Sequence, residues 1–110
     1  MLEVKEVYRG KFIYAVDKDK KKYVDWRTEY YNKIGVIAVY EDNLLNKGKY
    51  IIRFVPINNN GEIDDSNGCL KTSFGDIFLD YVTNRICLVT GNSTYYFEDV
   101  VFKKLREKSI

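Results

Sequence analysis

The strongest constraint on the fold comes from residues 85–98, where two runs of β-favouring residues flank the dipeptide Gly91-Asn92. A Gly-Asn linker between such runs is typical of a tight β-hairpin, because glycine adopts positive φ without steric cost. A two-residue turn also fixes which residues face one another, and it places Arg85 opposite Glu98 on the outer face. The other predicted cross-strand pairs are Val89–Thr94, Leu88–Tyr95, Cys87–Tyr96 and Ile86–Phe97, so Ile86, Leu88, Tyr95 and Phe97 share one apolar face directed at the core.

Composition favours β structure in the rest of the chain. Val, Ile, Tyr and Phe together supply 37 of the 110 residues, and such side chains lose rotamer freedom in a helix but pack well on a pleated sheet. A chain of this length forms one domain with one core. We therefore predict a mainly β (β-rich α+β) fold over residues 1–110, namely a small single-domain barrel or strongly bent antiparallel sheet of six to eight strands with one or two short helices.

Alternation in the N-terminal third predicts two further strands. Phe12, Tyr14 and Val16 alternate with Lys11, Ile13 and Ala15, and a second run covers Lys21–Trp26. A turn over Lys18–Lys20 would place Phe12 opposite Trp26 and Tyr14 opposite Val24, so these aromatic rings are expected in the core. Gly10 indicates a bulge that joins Val4–Arg9 to the first strand.

The middle of the chain contains two runs that are apolar on both faces. Ile34–Tyr40 and Tyr50–Val55 are predicted to be strands, separated by a polar loop over Glu41–Lys49 and followed by a long loop over Asn58–Gly68. Ile34–Tyr40, the polar loop and Lys49–Phe54 together resemble the loop-linked strand pair of SH3-like barrels. The resemblance implies a small closed barrel.

Two segments have patterns that favour or permit a helix. Phe74, Ile77, Phe78, Tyr81 and Val82 recur at helical spacing, which predicts a short helix over Ser73–Asn84 with Ser73 as its N-cap. Phe97–Leu105 has two interpretations. It either extends the last strand to Phe102 or forms a short terminal helix.

The sequence excludes most common catalytic chemistry. The chain has no histidine, so Ser-His-Asp and Cys-His catalysis and His-containing metal sites cannot form. Cys69 and Cys87 stand alone and are predicted to be buried thiols, and Gly48-Lys49 lacks the spacing of a phosphate-binding loop. The Asn/Asp-rich loop and the carboxylates do not follow a calcium or nuclease motif. We therefore expect a non-enzyme without a metal or cofactor.

Ten tyrosines in 110 residues suggest a binding surface for another protein, since tyrosine buries a large rigid ring while its hydroxyl stays polar. Tyr8, Tyr30 and Tyr31 lie beside charged residues and are the candidate contacts. The simpler interpretation is that their rings cover a sheet edge. The small size and the abundance of residues with A/T-rich codons suggest a phage or mobile-element protein that inhibits a host complex.

The alternative function is binding of nucleic acid by a small β-barrel. The net charge is only +2, but the cations are concentrated in two clusters, one of them in a basic C-terminal segment that begins near residue 103. No run of the sequence is apolar enough to span a membrane, so we expect a cytoplasmic protein. The candidate phosphate contacts are Lys18, Lys20, Lys21, Lys22, Arg27, Lys103, Lys104 and Arg106.

Overall fold

The computed structural model describes residues 2–18, 26–42, 44–64, 66 and 68–102. These residues form seven strands and one short 3-10 helix, Trp26–Tyr30. Within the same ranges, no helix has the length and apolar character needed to cross a membrane. The strands are β1 (Leu2–Asp17), β2 (Lys33–Asp42), β3 (Asn46–Pro56), β4 (Leu70–Lys71), β5 (Gly75–Asp80), β6 (Arg85–Thr90) and β7 (Ser93–Val101).

The strands form one antiparallel sheet bent into a ring, as the sequence predicts. Its order is β2-β1-β7-β6-β5-β3-β4, and an additional pairing of β2 with β3 closes the ring. β3 meets β5 at a single position, Tyr50 opposite Gly75, so this seam is the weakest junction of the ring. Short β4 covers a further part of β3 at Arg53 and Phe54.

The predicted hairpin around Gly91-Asn92 is confirmed with its register. All four predicted pairs from Val89–Thr94 to Ile86–Phe97 are present. The side chains of the inward face are buried, and the Arg85 Nε lies 3.9 Å from the Glu98 Oε2 on the outer face. The predicted strands Ile34–Tyr40 and Tyr50–Val55 are also confirmed, as the central parts of β2 and β3.

The core is a cluster of aromatic and branched side chains inside the ring. Phe12 is fully buried at its centre, with ring centroids 5.2 Å from Phe97, 5.6 Å from Tyr31, 5.9 Å from Phe54 and 6.3 Å from Tyr95. Gly35 lies on β2 beside this cluster. A Cβ at this position would lie 2.3 Å from the Val55 carbonyl oxygen of β3. The close approach of β2 to β3 therefore requires glycine at this position.

The predicted helix over Ser73–Asn84 is wrong, because this segment contains strand β5 and a turn. β5 pairs with β6 without interruption from Gly75 opposite Thr90 to Asp80 opposite Arg85. The β-favouring residues of this segment form the ladder with β6. The Asp80 Oδ1 accepts hydrogen bonds from two backbone N–H groups of the turn that follows. Tertiary pairing here overrides the helical spacing of the apolar residues.

The prediction that the rings of Phe12 and Tyr14 lie in the core is right for Phe12 only. Phe12 is buried, but Tyr14 and Val16 are each 41% exposed. The β1–β7 ladder shifts between Phe12 and Tyr14, where two steps on β1 match one step on β7. One extra residue, Ile13, therefore reverses which face the following side chains occupy.

The irregularity predicted at Gly10 is present, since the same ladder also shifts between Arg9 and Lys11. The extra residue lies on β7, where Asp99 has a φ of 54°. The predicted joining of Val4–Arg9 to the first strand is confirmed, because β1 is continuous over both segments.

The predicted strand Lys21–Trp26 is wrong at Trp26, and its other residues lie outside the described ranges. Trp26 begins the 3-10 helix and is 52% exposed. Phe12 lies opposite Lys33 and Phe97 rather than opposite Trp26. At the other end of the chain, the last strand continues to Val101, and residues 103–105 of the second ambiguous segment lie outside the described ranges.

Candidate interaction surface

The extra residue Ile13 reverses which face the following side chains of β1 occupy. This phase reversal creates an exposed aromatic row on the outside of the sheet. Tyr14 lies opposite Tyr96, Tyr96 opposite Cys87, and Cys87 opposite Phe78, so the row crosses four adjacent strands. The Tyr14 and Tyr96 rings are stacked, with centroids 4.8 Å apart and planes 23° apart. Phe78 is 58% exposed. We call Tyr14, Phe78, Cys87 and Tyr96 the aromatic face; together they line a shallow groove of about 410 Å³.

The rows on either side of the aromatic face differ in character. On one side Thr94 lies between Val16 and Val89, which extends the apolar surface. On the other side the sheet carries charges of both signs, with Lys11 and Glu98 opposite each other and Arg85 opposite Asp80. The aromatic face therefore has one charged border and one that is mostly apolar, which ends at Asp76 opposite Val89.

The cations of the charged border lie near acids. The Lys11 Nζ is 3.8 Å from the Asp99 Oδ2, and the Arg85 Nε is 3.9 Å from the Glu98 Oε2. A hydrogen bond from the Thr83 side chain and backbone hydrogen bonds in the following turn lower the pKa of Asp80 below its ordinary value. The aromatic face is therefore not bordered by a positive field.

Cys87 is the half-buried thiol of the aromatic face, and burial raises its pKa above the ordinary value. Because the thiolate is the species that reacts, a higher pKa means a smaller reactive fraction at any given pH. We expect iodoacetamide to modify Cys87 several-fold more slowly in the folded chain than in urea at pH 7.5. Mass spectrometry of the Cys87 peptide measures both rates.

The pH profile separates ionisation from simple shielding of the sulfur. The midpoint of the folded-state rate profile should lie above roughly pH 8.5, the ordinary pKa of a cysteine thiol. Equal rates in folded and unfolded chains, or a folded-state midpoint at or below the ordinary value, would contradict the expected shift.

A second group of polar side chains joins the 3-10 helix to the ends of β1 and β7. The Arg27 guanidinium donates to Asp17 at 2.8 and 3.0 Å, and also to the Ser93 Oγ at 3.1 Å and the Tyr95 hydroxyl at 3.3 Å. The Ser93 hydroxyl donates to the Asp17 Oδ1 at 2.5 Å. Each of these groups makes a hydrogen bond within the cluster, so we interpret its role as structural. We call Asp17, Arg27, Ser93 and Tyr95 the clamp.

Two of the three candidate tyrosines are buried and do not form an exposed contact surface. Tyr8 is 8% exposed and Tyr30 is 4% exposed. Tyr8 occupies the inward phase of β1 with its ring centroid 5.1 Å from that of Phe102, and burial raises the pKa of its hydroxyl to about 12. Tyr31 is half-buried, and its hydroxyl lies 3.3 Å from both the backbone N and the backbone O of Ala15. None of the three belongs to the aromatic face.

The cations predicted to contact phosphate are only partly within the described ranges. Lys18 is exposed. Arg27 is 6% exposed and hydrogen-bonded to Asp17, which contradicts its expected place on a phosphate-binding surface. The other six, Lys20, Lys21, Lys22, Lys103, Lys104 and Arg106, lie outside the described ranges.

The carboxylates and thiols of the described ranges do not gather into a metal site. No three Asp, Glu or Cys residues in that part of the chain form a group that could hold a metal ion. Comparison of the chain with protein-family models, with curated proteins and with solved structures finds no match. The surface chemistry described above is therefore what indicates the function.

Proposed function

We propose that this chain is a small non-enzymatic protein-binding module that contacts its partner through the aromatic face. The observation that supports this proposal most strongly is the row of Tyr14, Tyr96 and Phe78 across four paired strands. Aromatic side chains dominate the energy of protein interfaces, and strands hold them in place before the partner arrives. Little conformational freedom is then lost on binding.

The charges around the aromatic face favour a protein partner over nucleic acid. Polyanion binding draws its affinity from cations that neutralise phosphates. Here Lys11 and Arg85 lie within 4 Å of carboxylates, and Lys49 at the far edge lies 2.7 Å from Asp76. The complementary surface is a protein patch with exposed apolar side chains and a rim of both charge signs.

The biological setting of this module also belongs to the proposal. A phage or mobile-element chain that inhibits a host protein complex in the cytoplasm would need a compact interaction domain of this kind. This part is inferred from the composition and size of the chain, and the choice of a protein target is inferred from the aromatic face.

The test first identifies one protein that the wild-type chain captures from host lysate. It then measures how much of that purified protein the wild-type chain and the surface variants capture. We expect Tyr14→Ser and Phe78→Ser each to reduce capture about ten-fold or more, because truncating an interface anchor typically removes more than about 1.4 kcal/mol. Tyr81→Ser is a matched control, since Tyr81 is 64% exposed at the β5–β6 turn, outside the aromatic face. Thermal melting of each variant checks that the fold is retained.

Two outcomes would contradict the proposal. One is equal capture of the partner by wild-type, Tyr14→Ser and Phe78→Ser chains. The other is retention on immobilised RNA or DNA that falls steeply between low and high salt, because this behaviour would favour the nucleic-acid alternative.

A further inference from the structure

The seam between β3 and β5 leaves part of a strand edge open. β5 pairs with β6 over all six of its residues, but within the described ranges it meets β3 only at Gly75. Beyond that point the Lys49 Nζ and the Asp76 Oδ1 touch at 2.7 Å through side chains. Among the described residues, 76–80 therefore present one row of backbone N–H and C=O groups without a paired strand. Such an edge is a template for another extended chain.

An apolar slot lies directly beside this edge. Its volume is about 220 Å³, larger than the roughly 150 Å³ that holds a benzene-sized molecule in an apolar cavity. Ile77 and Leu79 of β5 are only half-buried although they belong to the inward face of the strand. One branched or aromatic side chain would therefore fit and cover them. The slot is lined by Lys5, Glu6, Tyr8, Val39, Tyr50, Ile77 and Leu79.

The outward residues of β5 specify the charge of the complementary strand. Asp76 and Asp80 alternate with Phe78 on the outer face, and hydrogen bonds from the turn lower the pKa of Asp80. Side chains alternate along an added strand as they do along β5. A residue that enters the slot is then flanked by two outward residues near these carboxylates, where lysine or arginine is favoured. Asp76 also contacts Lys49, but both side chains are about half exposed, so this pair is weak and leaves the carboxylate open to a second cation.

We infer that β5 is a strand-addition site for an extended protein segment with an apolar residue between two basic residues. Backbone hydrogen bonds to residues 76–80 would supply affinity, and the slot would select the apolar side chain. The inference rests on the proposed function in taking the ligand to be a protein segment. It concerns a different face of β5, since Phe78 lines only the groove of the aromatic face and Ile77 lines only the slot, whereas Leu79 lines both.

The probe is a fluorescein-labelled peptide Thr-Lys-Leu-Lys-Thr, acetylated and amidated, titrated against the full chain by fluorescence anisotropy. We expect saturable binding that weakens about ten-fold when serine replaces the peptide leucine, because serine cannot replace the apolar surface that the leucine buries in the slot. Ile77→Asp in the protein should weaken binding similarly by placing a carboxylate in the slot, because Ile77 lines the slot and not the groove of the aromatic face. Tyr14→Ser should leave peptide binding unchanged, which separates this site from the aromatic face.

Hydrogen exchange gives a second measurement that does not depend on a variant. Peptide saturation should slow exchange of the backbone N–H groups of residues 76–80 that face the seam by about ten-fold or more, because they acquire strand partners. Binding without this protection overturns the inference, as does absence of binding at 1 mM peptide. Protection that appears without peptide as protein concentration rises overturns it too, because the occupant is then a second copy.

Discussion

Replacing Arg27 with methionine is expected to lower the free energy of unfolding by about 3–5 kcal/mol, the effect of breaking one side of a buried ion pair. The Arg27 side chain is 7% exposed and that of Asp17 15%, so water screens their interaction weakly. The substitution removes the guanidinium that donates to both Asp17 oxygens, at 2.8 and 3.0 Å. Methionine keeps much of the side-chain volume, but it leaves the carboxylate desolvated without this partner.

Urea unfolding of wild-type and variant chains measures this loss. Arg85→Met is the matched control, because the Arg85 side chain is 60% exposed and its nearest approach to Glu98 is 3.9 Å. Exposed pairs of this kind contribute about 1 kcal/mol or less. The double variant Asp17→Asn with Arg27→Met should be less destabilised than the sum of the single variants, since each removes the same interaction. A loss below about 1 kcal/mol for Arg27→Met would contradict the clamp.

The burial of Arg27 could not be predicted from its neighbours in the sequence. Its hydrogen-bond partners are 10, 66 and 68 residues away, and only the closed sheet brings them together. A local pattern of Lys and Arg beside aromatic residues is equally typical of a solvated basic patch. The local pattern therefore predicts a phosphate-binding surface that includes Arg27. In the structure Arg27 instead binds Asp17 and holds the 3-10 helix against the sheet.

The fold was predictable where short-range geometry decides it. The Gly91-Asn92 turn fixes β6 against β7, so the pairs and the buried face followed from the sequence alone. The segment 73–84 was not predictable in the same way, because spacing alone cannot distinguish a short amphipathic helix from a strand held by neighbours. Pairing with β6 decides that case.

The aromatic face was visible to sequence reasoning only in part. The hairpin register places Tyr96 beside Cys87 on the outer side of the sheet, which was the available signal. The other two members depend on events that the local pattern does not reveal. Tyr14 turns outward because Ile13 is an extra residue in the ladder, and Phe78 turns outward because its segment is a strand.

Phe12→Ala is expected to cost about 3–5 kcal/mol of stability, the range for removing a buried phenylalanine side chain. Phe12 is 0% exposed and has four aromatic rings within 6.3 Å, from elements that are distant in the sequence. Three of these rings are fixed on paired strands and the fourth, Tyr31, follows the 3-10 helix, so the surrounding structure can relax only partly into the cavity. Since domains of this size are stable by about 5–15 kcal/mol, the variant should lose a large fraction of its stability and melt well below the wild-type chain.

Phe78→Ala is the matched control because it removes the same side chain from the outer face, where Phe78 is 58% exposed. Its loss of stability in urea unfolding should be within about 1 kcal/mol, as for other surface substitutions. Equal losses for the two variants would mean that the interior does not centre on Phe12. The phase reversal next to Phe12 separates the core aromatic residues from those of the aromatic face. Phe12→Ala should therefore impair folding before binding, whereas Phe78→Ala should impair binding while the fold remains intact.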